Sequence, residues 1–284
     1  MPKIAVVTDS TADIGHDLAR EKHISVVPLN LHFADDVYKD GIDLTTDAFF
    51  TKLQAATIPP RTSQPSPGDF YELYKSLLDA GYNGIISIHI SRELSGTWQS
   101  ATIAREMLPE EDICVIDSKS ASMGLGLIVL NTWDKIMTGA SGAEAAEYAK
   151  RLIGQQKVMF GVATLEYLHR NGRIGRAAKV IGGLLNVKPV LTIDVDGFVA
   201  PLGKVRGSSK FIPYLLDGAA EFVRDYSGAV DIAVVHAQDP QLAGELLSRT
   251  QEKIAVRNSY VTDIGSVIGT HTGPGTIGII LQKS

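Results

Sequence analysis

Runs of aliphatic, mostly β-branched residues alternate with helical patterns from one end of this chain to the other. "KIAVVTD" (3–9) reads as a buried strand and "DIGHDLAREK" (13–22) as a helix that Asp13 caps. "ISVVPLNLHF" (24–33) and "VYKDGIDL" (37–44) read as a hairpin-like pair, with Pro28 placing the first at an edge or bulge. "TTDAFFTKLQ" (45–54) is helical, and "ATIPPRTSQPSPG" (56–68) is a Pro-rich connection. Phe70, Leu73, Tyr74 and Leu77 make 69–81 an amphipathic helix. The strand 85–90, a helix over 95–108, the strand "ICVIDS" (113–118) and helices over 121–138 and 142–154 complete one series. Such alternation predicts an open, largely parallel sheet.

A second series starts at "KVMFGVAT" (157–164) and passes through short helices at "RNGRIG" and "AAKVIGGLL". Two strands over 187–207 turn at Asp196-Gly197, between Val195 and Phe198. A helix (208–225), a strand (231–237), a helix (239–253) and strands at 259–265 and 276–283 follow. The expectation is an α/β fold of two domains, 1–156 and 157–284, each with a largely parallel open sheet.

Composition narrows the function. The chain has 284 residues, 44% of them hydrophobic, and a net charge of −5, with no basic stripe that would point to nucleic acid. A single cysteine, Cys114, precludes an internal disulfide and fits a reducing, cytoplasmic location. The longest apolar stretch, "MGLGLIVL" (123–130), is too short to span a bilayer. "GPGTIG" (273–278) matches a dinucleotide fingerprint in letters, but it leads into a strand rather than a helix. "GFVAPLGKV" (197–205) fails as a P-loop, and "GASGA" (139–143) fails as a nucleophile elbow. The seven histidines are scattered without metal-ligand spacing, so neither metal nor cofactor is expected.

Hydroxyl-rich turns are what survive. In "IISIHISRELSGTWQSA" (85–101) a strand gives way to a helix through Ser91, Ser95, Gly96 and Thr97. A helix start offers unpaired N–H groups and partial positive charge, Gly96 permits close approach, and Ser95 and Thr97 add donors. That set suits a small anion; it equally serves as an ordinary cap. "PPRTSQPSPG" (59–68) is a second such loop, carrying Thr62, Ser63 and Ser66. "VVTDSTAD" (6–13) and "CVIDSKSAS" (114–122) place Asp9 and Asp117 at strand ends, where capping of loop amides is the simpler reading. Arg170, Arg173 and Arg176 are spaced by three in "LEYLHRNGRIGR" (165–176), and His271 sits in what reads as a Gly-rich loop, "GSVIGTHTGPG" (265–275). No activated nucleophile or orienting triad is legible.

Taken in order, "TDSTAD", "RTSQPS", "LSGTWQSA", "VIDSKSASMGLG", "LEYLHRNGRI" and "IGTHTGPG" resemble the DegV family over essentially the whole chain. The resemblance implies two α/β domains with a ligand tunnel at their interface. It implies a non-catalytic lipid-binding protein that takes a long-chain fatty acid and presents its carboxyl group to the ATP-binding subunit of a fatty-acid kinase, within phospholipid metabolism. Transient membrane contact is implied as well. By motif, Thr62 and Ser95 would hold the carboxylate, with Ser63, the Gly96 and Thr97 amides, His271 and Arg170 around it. Arg206, in "KVRG", would face the kinase subunit. Trp98 departs mildly from the pattern, where Tyr or Phe is expected. The alternatives are a lipid-sensing or transport protein without a kinase, or a free-standing phosphotransferase or esterase using the same anion site.

Affinity for such a ligand would come from its hydrocarbon. At about 0.8 kcal/mol per buried CH₂, a sixteen-carbon chain supplies roughly 10 kcal/mol before ordering costs. "MGLGLIVL" (123–130), "KVIGGLLNVKPVL" (179–191) and "FIPYLL" (211–216) could line such a tunnel, and each is equally well explained as plain core; Gly182 and Gly183 would leave room for a chain or equally permit close helix packing.

Overall fold

The computed structural model describes residues 3–183 and 187–283. The first series forms a four-stranded, wholly parallel sheet from β1 (Ile4–Asp9), β2 (Ser25–Val27), β6 (Gly84–His89) and β7 (Ile113–Asp117), in the order β2-β1-β6-β7. Pro28 follows the edge strand β2, where its missing N–H disturbs no ladder. Beyond it, β3 (Asn30–Phe33), β4 (Asp36–Lys39) and β5 (Arg61–Ser63) form a small antiparallel sheet, order β4-β3-β5. The expected pairing of 24–33 with 37–44 is thus confined to β3 and β4, because Pro28 splits the first run between two sheets. β5 lies inside the Pro-rich segment expected to be a loop.

The second series forms a six-stranded sheet from β8 (Gln156–Gly161), β9 (Val187–Ile193), β10 (Val199–Arg206), β11 (Val230–His236), β12 (Val256–Asp263) and β13 (Ile277–Gln282). Its order is β10-β9-β8-β13-β11-β12. This corrects the expectation of a largely parallel second sheet: β11 and β12 are parallel, and every other neighbouring pair is antiparallel. Strands β8, β10, β11 and β12 run one way, and β9 and β13 run against them. A parallel pair needs a long crossover, which the turn joining β9 to β10 cannot supply. That turn closes with the Gly197 N–H donating to the Asp194 carbonyl (2.9 Å), and Gly197 takes a positive φ of 95°.

Helices α3 (Pro67–Asp79) and α4 (Thr97–Glu106) cover the outer face of the first sheet, with Phe70, Tyr74, Ala101 and Ala104 buried against Ala5, Val7 and Ile85. α3 opens with a capping box: Ser66 Oγ accepts from the Asp69 N–H, and Asp69 accepts from the Ser66 N–H. On the inner face, α5 (Met123–Met137) lies between the two large sheets, touching β1 and β6 on one side and β11 and β13 on the other. α6 (Gly142–Ile153) packs beside it on β6 and β7. α8 (Phe211–Val223) and α9 (Pro240–Gln251) cover the far face of the second sheet. One apolar core therefore runs from Ile4 and Val6 through α5 to Phe160, Ala233 and Ile280.

The remaining helices are α1 (His16–Glu21), α2 (Thr46–Ala55), α7 (Glu166–Arg170) and α10 (Ser266–Thr272). Asp13 does not cap α1, which starts three residues later. It closes a short 3-10 turn (Ser10–Ala12) with φ 52° and accepts a hydrogen bond from the distant Gly265 N–H (3.1 Å). The expected Gly-rich loop around His271 is helix α10. Gly269 lets it press against α2, since a Cβ there would stand 2.8 Å from Phe49 and 3.0 Å from Phe50.

Candidate functional site

A cavity opens where β5, α10, the turn after β6 and the inner face of the second sheet meet, with some 910 Å³ of space, its open mouth included. Its body is aliphatic and aromatic: Ile90, Val158, Phe160, Val199, Val235 and Ile280 are all buried and line it. Three hydroxyls along it are already engaged by protein. Ser122 donates to Asp13 Oδ2, Thr272 to the Ile268 carbonyl, and Thr276 to the Thr272 and Gly273 carbonyls. Ile193 and Val199, on either side of the β9–β10 turn, also line the cavity, and the turn itself is tied to the first half of the chain: Ser91 Oγ donates to the Gly197 carbonyl (2.9 Å) and Lys119 Nζ to the Val195 carbonyl (3.2 Å).

The lining differs from the expected one. "MGLGLIVL" is the central helix, saturated by strands on both sides, and "FIPYLL" belongs to the core beyond the second sheet. Neither lines the cavity. In "KVIGGLLNVKPVL", residues 184–186 lie outside the described residues, as do the side chains of 181–187. The described Val190 and Leu191 are core residues that do not line the cavity either.

Polar groups gather at one end. β5 pairs with β3 so that Thr62 lies opposite the buried Leu31, which turns it toward α10. There Thr62 Oγ1 stands 2.8 Å from His271 Nε2. Burial, and then the nearby charge of Arg173, lower the His271 pKa to about 4, so the imidazole is neutral at pH 7. The hydroxyl and the neutral ring carry one mobile proton each, and their mutual bond uses one. The other is left over, on Nδ1 or on Oγ1. His271 Nδ1 is buried and has no partner.

A second pair behaves alike. Ser95 Oγ and Thr97 Oγ1 are 2.8 Å apart, and Ser95 Oγ also accepts from the Thr97 N–H at 3.3 Å. Ser95 therefore acts locally as a cap, as expected, although Gly96 is the residue at the helix boundary. Thr97 is fully buried, while Ser95 lines the cavity. Gly96 lies against Gln64, where a Cβ would come within 2.7 Å of Gln64 Nε2; Gly96 and Thr97 do not themselves line the cavity. Ser63 lines it, with its hydroxyl engaged by His32 Nε2 (2.9 Å) and by Asn30 Nδ2 (3.4 Å).

Arg170 is not at this site. It is exposed on α7, pairs with Glu166 one turn earlier, and does not line the cavity. Arg173 stands there instead. The chain turns back after α7, and Arg173 lies half-buried at the mouth, donating through Nε to the Leu94 carbonyl (3.2 Å) and through its terminal nitrogen to the Asn171 carbonyl (2.8 Å). No carboxylate pairs with it among the described residues. Arg173 is one of the three regularly spaced arginines, and only the turn at Gly172 (φ 71°) decides which of them faces inward. Arg176 pairs with Asp194 and Asp196, and Arg206 is exposed at the end of β10, away from the cavity. Gln64 and Arg173 are polar lining residues, near the expected ones, that the expected set lacked.

The two Asp-Ser turns serve the backbone. Asp117 accepts from the Lys119 N–H (3.0 Å) and the Arg92 N–H (3.3 Å). Asp9 accepts from the Thr11 and Ile90 N–H groups (both 3.1 Å) and from His89 Nδ1 (3.0 Å). His89 Nε2 meets Ser87 Oγ at 2.7 Å, and Ser87 accepts from the Tyr74 hydroxyl at 2.7 Å. This is a serine–histidine–aspartate chain in geometry, but Ser87, His89 and Tyr74 are fully buried and do not line the cavity described above. No helix among the described residues is long and apolar enough to cross a membrane.

Fold and cavity together define a class: an α/β protein of two large sheets and one small one, with an apolar cavity and polar groups concentrated at one end. Residues 3–284 match the family described as "Uncharacterised protein, DegV family". A DegV domain-containing protein of Caldanaerobacter subterraneus is 34% identical, with all of each chain covered. Among solved structures, a fatty-acid-binding DegV family protein from Thermus thermophilus superposes with a TM-score of 0.94 at 35% identity, over 99% of this chain and 100% of that one. DegV of Bacillus subtilis, described as a fatty acid binding protein, superposes with a TM-score of 0.89 at 31% identity over the whole of both. The chain belongs to the DegV family.

Proposed function

We propose that this protein binds a long-chain fatty acid, with the hydrocarbon in the apolar cavity and the carboxylate at the Thr62–His271 and Ser95–Thr97 pairs. The observation that carries the reading is His271 Nδ1, a buried polar atom without a partner at the polar end of an apolar space. An orphaned polar atom in such a place costs about 1–3 kcal/mol unless a ligand satisfies it. Each hydroxyl pair has one proton to offer, Arg173 adds positive charge, and the carboxylate needs no nucleophile. Ser63, Gln64 and the Gly96 and Thr97 amides support the pairs from behind. The fatty-acid-binding relatives from T. thermophilus and B. subtilis support the same ligand class.

The protein then acts as a carrier and not as a catalyst. In this reading it is cytoplasmic, makes transient contact with membranes, and presents the carboxyl group to a separate ATP-binding kinase subunit that forms the acyl phosphate. Residues 1–156 and 157–284 form two domains with the ligand between them, and the exposed Arg206 faces the kinase. Organic extraction of purified protein followed by mass spectrometry tests the ligand; near-stoichiometric long-chain fatty acid is expected. A protein that is empty and takes up no added fatty acid would refute the reading. For the partner, acyl phosphate should form only when the kinase subunit and ATP are added, and Arg206→Ala should lose that transfer while keeping the lipid.

A further inference from the structure

α10 comes from the second half of the chain yet is held by the first. Asp13 Oδ1 accepts from the Gly265 N–H at 3.1 Å, and the Asp13 carbonyl accepts from Thr262 Oγ1 at 3.1 Å. Asp40, just after β4, is buried beside this contact, where the Ser10 and Ser266 side chains and the Ser266 and Val267 N–H groups offset part of what burial does to its pKa. Both carboxylates converge on one spot: a Cβ built on Gly265 would stand 2.6 Å from Asp13 Oδ1 and 3.8 Å from Asp40 Oδ2. Phe49 and Phe50 of α2 close on Gly269 from the side. Val267, Ile268, His271 and Thr272 of the helix so held line the cavity, and so does Ser122, which donates to Asp13. Neither Asp13 nor Asp40 lines it.

We propose that Asp13 and Asp40 are positioning residues for the ligand site: they anchor α10 across the junction of the two halves and so set His271 against Thr62. Ligand affinity then depends on two carboxyl groups that never touch the ligand. The inference rests on the fatty-acid reading of the cavity. Burial raises the pKa of both groups, Asp13 most, and the Asp40 charge adds to the effect on Asp13. Keeping two acids in such surroundings works against stability. It is consistent with a pair retained for placement.

The test uses the full chain, stripped of lipid, with oleate as probe. Calorimetry gives affinity, and amide hydrogen exchange in the ligand-free protein reports on 266–272. Asp13→Ala and Asp40→Ala should weaken oleate binding at least about tenfold and speed exchange across 266–272 while the two large sheets stay protected. Asp40→Asn keeps an oxygen for the Ser266 and Val267 N–H groups and should stay within about threefold of the native affinity. A folded alanine variant with native affinity and native exchange overturns the proposal. Should the alanine variants not fold, Gly265→Ala presses a methyl on Asp13 Oδ1 and must reproduce both changes; native behaviour there overturns it equally. If the unaltered chain takes up no oleate, the fatty-acid reading fails, and exchange alone then decides whether the carboxylates hold α10.

Discussion

Two histidines in this protein meet hydroxyl groups at nearly the same distance in opposite settings, one in the core and one at the cavity. His89 stands 2.7 Å from Ser87 Oγ and 3.0 Å from Asp9, with both ring nitrogens satisfied inside a sealed core. His271 stands 2.8 Å from Thr62 Oγ1, with its other nitrogen buried and unpartnered, in a residue that lines the cavity. The first has the connectivity of a catalytic triad and no room for a substrate. The second lacks a third member and has a cavity in front of it. The first chain is complete within the protein, and the second is the one the proposed ligand would complete.

His89→Ala should have the largest effect of any change considered, and on stability. It removes a fully buried ring and leaves Asp9 and Ser87 each with one hydrogen-bond partner fewer, at a cost of about 3–5 kcal/mol. Urea denaturation should show that loss, while the folded fraction binds fatty acid as before. Weakened binding per folded molecule would collapse the distinction between the two histidines. Thr62→Ala should do the reverse, lowering affinity by about ten- to a hundredfold, as expected for a lost bond to a charged group, with little change in the denaturation midpoint. Calorimetry on delipidated protein checks it, and unchanged affinity would remove Thr62 from the site.

Titration sharpens the contrast further. The folded pKa of His271 is about 4, below the ordinary value of 6.5, so the unfolded chain binds the proton more readily. The stabilising contribution is complete above the unfolded value and is lost as pH falls from 6.5 toward 4, by about 3 kcal/mol in all. NMR of the imidazole in the ligand-free protein should show this depressed value. A bound carboxylate should raise it, because a nearby anion favours the charged ring. A ring pKa that fatty acid does not move would place the carboxylate elsewhere. The smallest effects separate the arginines. Arg173→Gln should weaken binding by about tenfold, whereas Arg170→Gln, which breaks an exposed ion pair, should change stability by less than about 1 kcal/mol and affinity not at all. Equal effects from the two would undo their assignment to opposite sides of the turn at Gly172.

Local chemistry made much of this legible in advance. The β-branched runs announce nearly every strand because burial on both faces demands continuous apolar sequence. Asp196 with Gly197 announces a chain reversal within a few residues. Thr62, Ser95 and His271 could be singled out because small donors in turns stand out against an acidic chain with no metal or nucleophile pattern. β5 escaped, since three residues among prolines carry no period of their own. α10 escaped too, because its glycines argue against a helix when read alone.

By its own composition and periodicity the chain determined an α/β fold, a first parallel sheet, and a set of hydroxyl-bearing turns suited to an anion. These follow from interactions between residues close in sequence. Tertiary structure alone decided that β13 enters the second sheet against its neighbours and that the longest apolar run fills the centre instead of lining a tunnel. It also decided that Arg173 turns inward where Arg170 does not. Most of all it decided that Asp13, a candidate cap for its own helix, reaches across about 250 positions to Gly265. Such choices depend on which distant surfaces meet, and a hydrogen bond or packed methyl between them leaves no periodic trace in the sequence.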